Sequence, residues 1–147
     1  MPYWKPPLPP ICWHMFEWNP EYSVGIGSID AQHQTLFRIA GELYAAMSAG
    51  QGKAAIGRIL DRLVQYTATH FAHEERLMRL CDYPDLAVHR VQHQALTKQV
   101  QQFQADFQSG RAAVTVQLLQ FLRTWLDTHI RGSDHKYAPC MVRKAVA

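Results

Sequence analysis

Residues 70–93 read His70-Phe71-Ala72-His73-Glu74-Glu75-Arg76-Leu77-Met78-Arg79-Leu80-Cys81-Asp82-Tyr83-Pro84-Asp85-Leu86-Ala87-Val88-His89-Arg90-Val91-Gln92-His93. Two helices joined by a short turn account for this stretch. His70 and Glu74 stand four apart, as do His89 and His93. Residues four apart share a helix face, about one turn or 6 Å along the axis. Glu75 is five from His70 and points elsewhere. Tyr83-Pro84-Asp85 interrupts the helical pattern, because proline does not continue a helix from the preceding turn, and Asp85 is a suitable N-cap for the second helix. His70 and Glu74 lie roughly 10–16 Å of helical rise before Cys81, and His89 and His93 lie roughly 6–12 Å after Asp85. An antiparallel hairpin therefore brings both pairs to one level.

The same spacing extends outward. The first helix of the hairpin is expected from about Lys53 to Leu80, with Ile56, Leu60, Leu63, Tyr66, His70, Leu77 and Met78 near one stripe. The second carries Val88, Val91, Leu96, Val100, Phe103 and Phe107 and stops at Ser109-Gly110. Upstream, a helix should begin after Asp30, with Ile29, His33, Leu36, Phe37, Ala40, Leu43, Tyr44 and Met47 at helical spacing, and end at Ala49-Gly50-Gln51-Gly52. Downstream, Val114, Leu118, Leu119, Phe121, Leu122, Trp125, Leu126 and Ile130 mark a fourth helix closing before Gly132. Four helices with short links and no strand alternation predict an all-α fold, an up-down-up-down antiparallel four-helix bundle. Residues 1–28 form an N-terminal arm, Pro-rich and then aromatic, and residues 29–147 form the bundle with a short C-terminal tail. The arm's Trp13, Phe16, Trp18 and Tyr22 are expected to pack on the bundle, since such rings are costly to leave in water.

In that topology seven side chains meet at one end: His33 opens the first helix, His70 and Glu74 close the second, His89 and His93 open the third, and His129 and Asp134 close the fourth. Polar groups gathered in a bundle core must be satisfied, and a metal does so. Seven ligands exceed what one tetrahedral zinc uses. With two six-coordinate ions, both carboxylates bridging and an oxide or hydroxide bridge, five imidazoles leave one position open. Mostly neutral nitrogen ligation favours binding of a small ligand at that single vacancy. Asp134 is the difficult member. It is five residues from His129, about 140° around an ideal helix, so the helix end must distort, with Gly132 between them, to swing Asp134 inward.

These motifs resemble the hemerythrin family, in particular its single-domain bacterial branch, the bacteriohemerythrins. The resemblance rests on Val24-Gly25-Ile26 through Ile29-Asp30-Ala31-Gln32-His33, on His70-Phe71-Ala72-His73-Glu74-Glu75, on Tyr83-Pro84 followed by His89 and His93, and on Trp125-Leu126-Asp127-Thr128-His129-Ile130 through Asp134 and Tyr137. It covers about residues 16–137. It implies reversible O2 binding at two non-haem iron ions with a bridging oxide or hydroxide, for oxygen carriage, storage or delivery, and no catalytic residues. One iron would take His89, His93 and His129, the other His33 and His70 with the vacancy, and Glu74 and Asp134 would bridge. The implied O2 pocket is Leu36, Phe71, Trp125, Leu126 and Ile130. His14, His73 and His135 are read as non-ligands, and Tyr137 as packing under the site. The alternatives are oxygen, redox or nitric oxide sensing, a di-iron peroxidase or NO-handling enzyme at the same site, and a structural zinc bundle.

Composition narrows the setting. Apolar residues make up 48% and charged residues 18%, a globular rather than disordered balance. The formal charge is +3 with no run of Lys or Arg, which argues against nucleic acid as a partner. Cys12, Cys81 and Cys140 form neither an even framework nor a CxxC, so free thiols in a reducing, cytoplasmic setting are expected. No apolar run approaches the roughly 20 residues that span a bilayer, and early prolines argue against a signal peptide. The Lys5-Pro6-Pro7-Leu8-Pro9-Pro10 segment offers a docking ligand for a protein partner. A monomer is expected.

Overall fold

The computed structural model describes residues 16–111 and 114–146. The Pro-rich segment, Cys12, Trp13 and His14 lie outside the described residues. Four long helices, α1 (Gly27–Ser48), α2 (Lys53–Leu80), α3 (Leu86–Gln108) and α4 (Val114–Thr128), pack as the expected antiparallel bundle. A π-helical turn at His129–Asp134 follows α4 and runs directly into α5 (His135–Arg143). Among the described residues there is no strand, and no helix is long and apolar enough to cross a membrane.

Three local expectations change. First, α1 starts at Gly27 rather than after Asp30, and Asp30 sits in its first turn. Its carboxylate accepts from the Ser23 hydroxyl (2.5 Å) and the Val24 N–H (2.9 Å), so it ties the incoming arm to the helix instead of capping it. Asp85 does occupy the N-cap of α3, but its side chain makes no capping bond. Second, Val88 and Val91 are 59% and 63% exposed. The inward face of α3 at this level belongs to His89 and His93, and a helix turns about 100° per residue, so their valine neighbours point out. Third, the helix does not end at Gly132. It widens there and continues, burying Tyr137, Cys140 and Met141.

The core is two apolar clusters. The larger holds Leu36, Leu43, Leu60, Leu63, Phe71, Leu118, Leu122 and Trp125, with Phe16 and Tyr22 of the arm buried in it and Trp18 packed against it. The smaller holds Val24, Ile26, Ile29, Leu77, Met78, Cys81, Tyr137, Cys140 and Met141. Each buried aliphatic or aromatic side chain contributes about 1.5–3 kcal/mol. Along α1 the order is Ile29, His33, Leu36, and along α2 it is Phe71, Glu74, Leu77, so each helix passes from one cluster to the other through a polar residue. The seven candidate ligands lie in the layer between.

Candidate metal centre

His33, His70, Glu74, His89, His93, His129 and Asp134 are all buried, each less than a tenth exposed. The i, i+4 pairs stand as the α-helix dictates. Asp134 reaches the layer through the π-turn. The i→i+5 bonding of such a turn brings residues five apart onto one face, and the His135 N–H bonds to Ile130 O in that pattern. Gly132 has neither a positive φ nor any atom within 4 Å of where a Cβ would stand. Its place in the turn reflects backbone malleability, not a need for space.

The donor atoms fall into two groups, each with its members within 4.8 Å of one another: Glu74, His89, His93, His129 and Asp134 in one, and His33, His70, Glu74 and Asp134 in the other. Both carboxylates belong to both groups, and each divides its oxygens between them. Glu74 Oε1 is 3.1 Å from His70 Nε2 and 3.2 Å from His33 Nε2, while Oε2 is 3.0 Å from His93 Nε2. Asp134 Oδ2 is 3.1 Å from His33 Nε2, while Oδ1 is 3.1 Å from His89 Nε2 and 3.0 Å from His129 Nε2.

Apart from His33 Nε2 with Glu74 Oε1, most of these contacts are close without being aligned as hydrogen bonds. Glu74 Oε2, both Asp134 oxygens, and Nε2 of His89, His93 and His129 have no hydrogen-bond partner among the described residues. Leaving a buried polar atom unmatched costs about 1–3 kcal/mol, and here several gather in one layer. Donor atoms that approach closely yet do not face one another face a common point. Two ligand atoms at right angles on an ion, with bonds of about 2.1 Å, lie about 3.0 Å apart, which is the spacing found. The residues present therefore fit a pair of metal ions.

Electrostatics point the same way. Burial pushes the Glu74 carboxyl up, but the His70, His33 and His93 imidazoles hold it well below its ordinary value. Burial and the Glu74 charge push Asp134 up, and His129 and His33 outweigh them and hold it down. Burial opposes a charged His33, yet Asp134 and Glu74 lift it to about 9. His129 is raised against its burial by Asp134, whereas burial lowers His93. Two ionised carboxylates in a dry layer demand positive charge, supplied by a proton on His33 or by cations in its place.

Supporting groups fix the ligands. Gln32 Oε1 lies 2.7 Å from His70 Nδ1, accepting a hydrogen bond from its N–H and leaving Nε2 free to face the centre. In the sequence Gln32 stands only as a motif neighbour of His33, with no role of its own. Tyr137, expected only to pack beneath the site, donates its hydroxyl to Glu74 Oε1 at 2.7 Å. Phe71 stacks on His93, with ring centroids 3.8 Å apart and planes 6° from parallel, and Trp125 meets Phe71 edge-on at 5.8 Å. Leu36, Leu126 and Ile130 are buried in the same cluster as these two rings. Glu75 is turned away, paired to Arg90 at 3.0 Å. Neither His73, which contacts Ser28 Oγ at 2.9 Å, nor His135 belongs to either donor group.

Comparison with known proteins agrees with this geometry. Residues 24–141 match the family described as the Hemerythrin HHE cation binding domain. The chain is 37% identical to a bacteriohemerythrin of Stenotrophomonas maltophilia, over 82% of this chain and 78% of that one. It is 34% identical to one of Methylococcus capsulatus, over 82% and 92% respectively. A wild-type hemerythrin crystal structure superposes with a TM-score of 0.79 at 33% identity, covering 85% of this chain and 96% of that chain. The chain belongs to the hemerythrin family.

Proposed function

We propose that this protein binds O2 reversibly at a non-haem di-iron centre, for oxygen carriage, storage or delivery. The observation that carries the reading is the unequal division of imidazoles around two shared carboxylates, three on one side and two on the other. In this reading His89, His93 and His129 would hold one iron and His33 and His70 the other, with Glu74 and Asp134 available to both. The two-imidazole side keeps a position for a small ligand. An iron pair held by these residues would supply reversible redox chemistry toward O2.

The protein's own residues do the rest. Gln32 orients His70, and Tyr137 donates a hydrogen bond to Glu74 Oε1. Burial and the nearby Asp134 and Glu74 charges raise the Tyr137 hydroxyl well above its ordinary pKa, so it stays a donor. Leu36, Phe71, Trp125, Leu126 and Ile130 line the pocket and exclude water from it. The free thiols Cys81 and Cys140 suit a reducing cytoplasm, and the protein works there as a monomer.

The test is an absorption spectrum of the air-exposed protein before and after dithionite, together with iron analysis. Near-ultraviolet oxo-bridge bands and about two iron ions per chain are expected. A colourless protein, or one holding clearly less iron than that, overturns the reading.

A further inference from the structure

The π-turn that brings Asp134 inward is gripped from outside by the arm. Arg131 lies within that turn, between His129 and Asp134 in the chain, with its side chain 43% exposed. It meets three groups outside the ligand layer. Its Nε is 3.1 Å from Asp127 Oδ1, and its Nη2 is 3.1 Å from Glu21 Oε2. Its guanidinium carbon stands over the Tyr22 ring, 4.7 Å from the centroid. Asp127 belongs to the last turn of α4, whereas Glu21 and Tyr22 belong to the arm, in the 3-10 turn Pro20–Tyr22. One side chain thus spans the point at which the helix widens and joins it to the arm.

The arm end of this contact is itself fixed. Tyr22 is buried, its ring 4.8 Å from that of Phe37 on α1, and its hydroxyl donates to the same Asp127 Oδ1 at 3.0 Å. Asn19 caps the 3-10 turn, accepting from the Glu21 N–H at 2.9 Å. The chain then passes to Ser23 and Val24, both bonded to Asp30 of α1. The π-turn is the end that needs holding. Bonding from i to i+5 is rare and occurs mostly as single turns within α-helices, and Gly132 adds backbone freedom at its middle. If the turn relaxed to regular α-helix, Asp134 would stand about 140° from His129. A single exposed ion pair holds little. Arg131 differs, because its planar fork reaches two carboxylates while the guanidinium rests on an aromatic ring, an arrangement that lysine does not reproduce.

We propose that Arg131 is a positioning residue for Asp134. Clamped by Asp127, Glu21 and Tyr22, it keeps the π-turn wound so that Asp134 stays in the ligand layer, and the arm becomes part of the mechanics of the centre. The clamp is independent of the functional reading. Its effect on iron rests on that reading: with the clamp released, the turn opens more often, and metal that shares Asp134 leaves faster.

Two measurements on the full chain test this. The first is amide hydrogen exchange of the metal-free protein. Arg131→Met, similar in length and a good helix former, should accelerate exchange across residues 130–135 at least about tenfold more than across residues 36–46 of α1, because a local opening moves the first alone. Arg131→Lys should fall between parent and Arg131→Met. The second is release of iron from the loaded protein to excess chelator. Arg131→Met should release it at least about threefold faster than the parent, since release follows the population of the opened turn. Arg62→Met, which removes an exposed ion pair to Glu42 between α1 and α2, should release it like the parent. Exchange that is unchanged, or that rises equally in both segments, overturns the clamp. Faster local exchange with unchanged iron release overturns its effect on the metal. A parent that takes up no iron overturns the functional reading instead, and hydrogen exchange still decides the clamp.

Discussion

The Tyr137 hydroxyl donates to Glu74 Oε1 at 2.7 Å, with Tyr137 and Glu74 both fully buried. This contact joins α5 to one of the two carboxylates common to both donor groups, so the helix beyond the π-turn is part of the centre. Tyr137→Phe keeps the ring's packing and deletes one hydrogen bond to a charged group, which is worth about 1.5–3 kcal/mol. Denaturant unfolding of the metal-free variant should show a loss of that size. A loss below about 0.5 kcal/mol would mean that solvent or another group replaces the hydroxyl.

Asp134 lies in both donor groups, and no other described carboxylate besides Glu74 does. Asp134→Ala removes a shared ligand and the main counter-charge of His129 and His33. Both apolar clusters remain, so circular dichroism should still report the bundle. Bound iron should fall from about two per chain to about one or fewer. Full retention of two would remove Asp134 from the bridging role.

The legibility of this centre in the sequence follows the regularity of the backbone. His70 with Glu74, and His89 with His93, obey ideal α-helical spacing and could be placed without coordinates. Asp134 could not, and its off-face position only required that the helix change. The form of the change, a widened turn that continues into α5, depends on the layer drawing Asp134 inward while Tyr137, Cys140 and Met141 bury themselves beyond it. That last pattern was visible at helical spacing but was overshadowed by Gly132, which reads as a stop. Gln32 and the Tyr137 bond are contacts across helices, and no single-helix pattern encodes them. Val88 and Val91 misled because hydrophobicity marks the inward face only where the layer within is apolar.

Leu36 is 1% exposed and lies one turn from His33. Leu36→Ala opens a cavity in the proposed pocket at a stability cost of about 2–5 kcal/mol. If the pocket's dryness protects the oxygenated form, the variant should lose that form faster than the parent at equal temperature and pH. Leu43→Ala, in the same apolar cluster but farther along α1, carries a comparable stability cost and separates pocket opening from general loosening. Equal acceleration in both variants would take Leu36 out of the pocket's protective role.

Without metal, the layer holds two ionised carboxylates with a proton on His33 between them, and several donor atoms remain unmatched. Metal that binds only the folded chain must therefore stabilise it. At a free concentration one hundred times the dissociation constant the gain is about 2.7 kcal/mol, roughly 10 °C in Tm for a domain of this size. Calorimetry of metal-free and iron-loaded protein should show a shift of that order, growing with metal concentration. His93→Ala should shrink it, because His93 Nε2 lies 3.0 Å from Glu74 Oε2. His73→Ala should leave it intact, because His73 is engaged with Ser28 outside both donor groups. A shift that His73→Ala abolishes and His93→Ala spares would relocate the metal to the surface of α2.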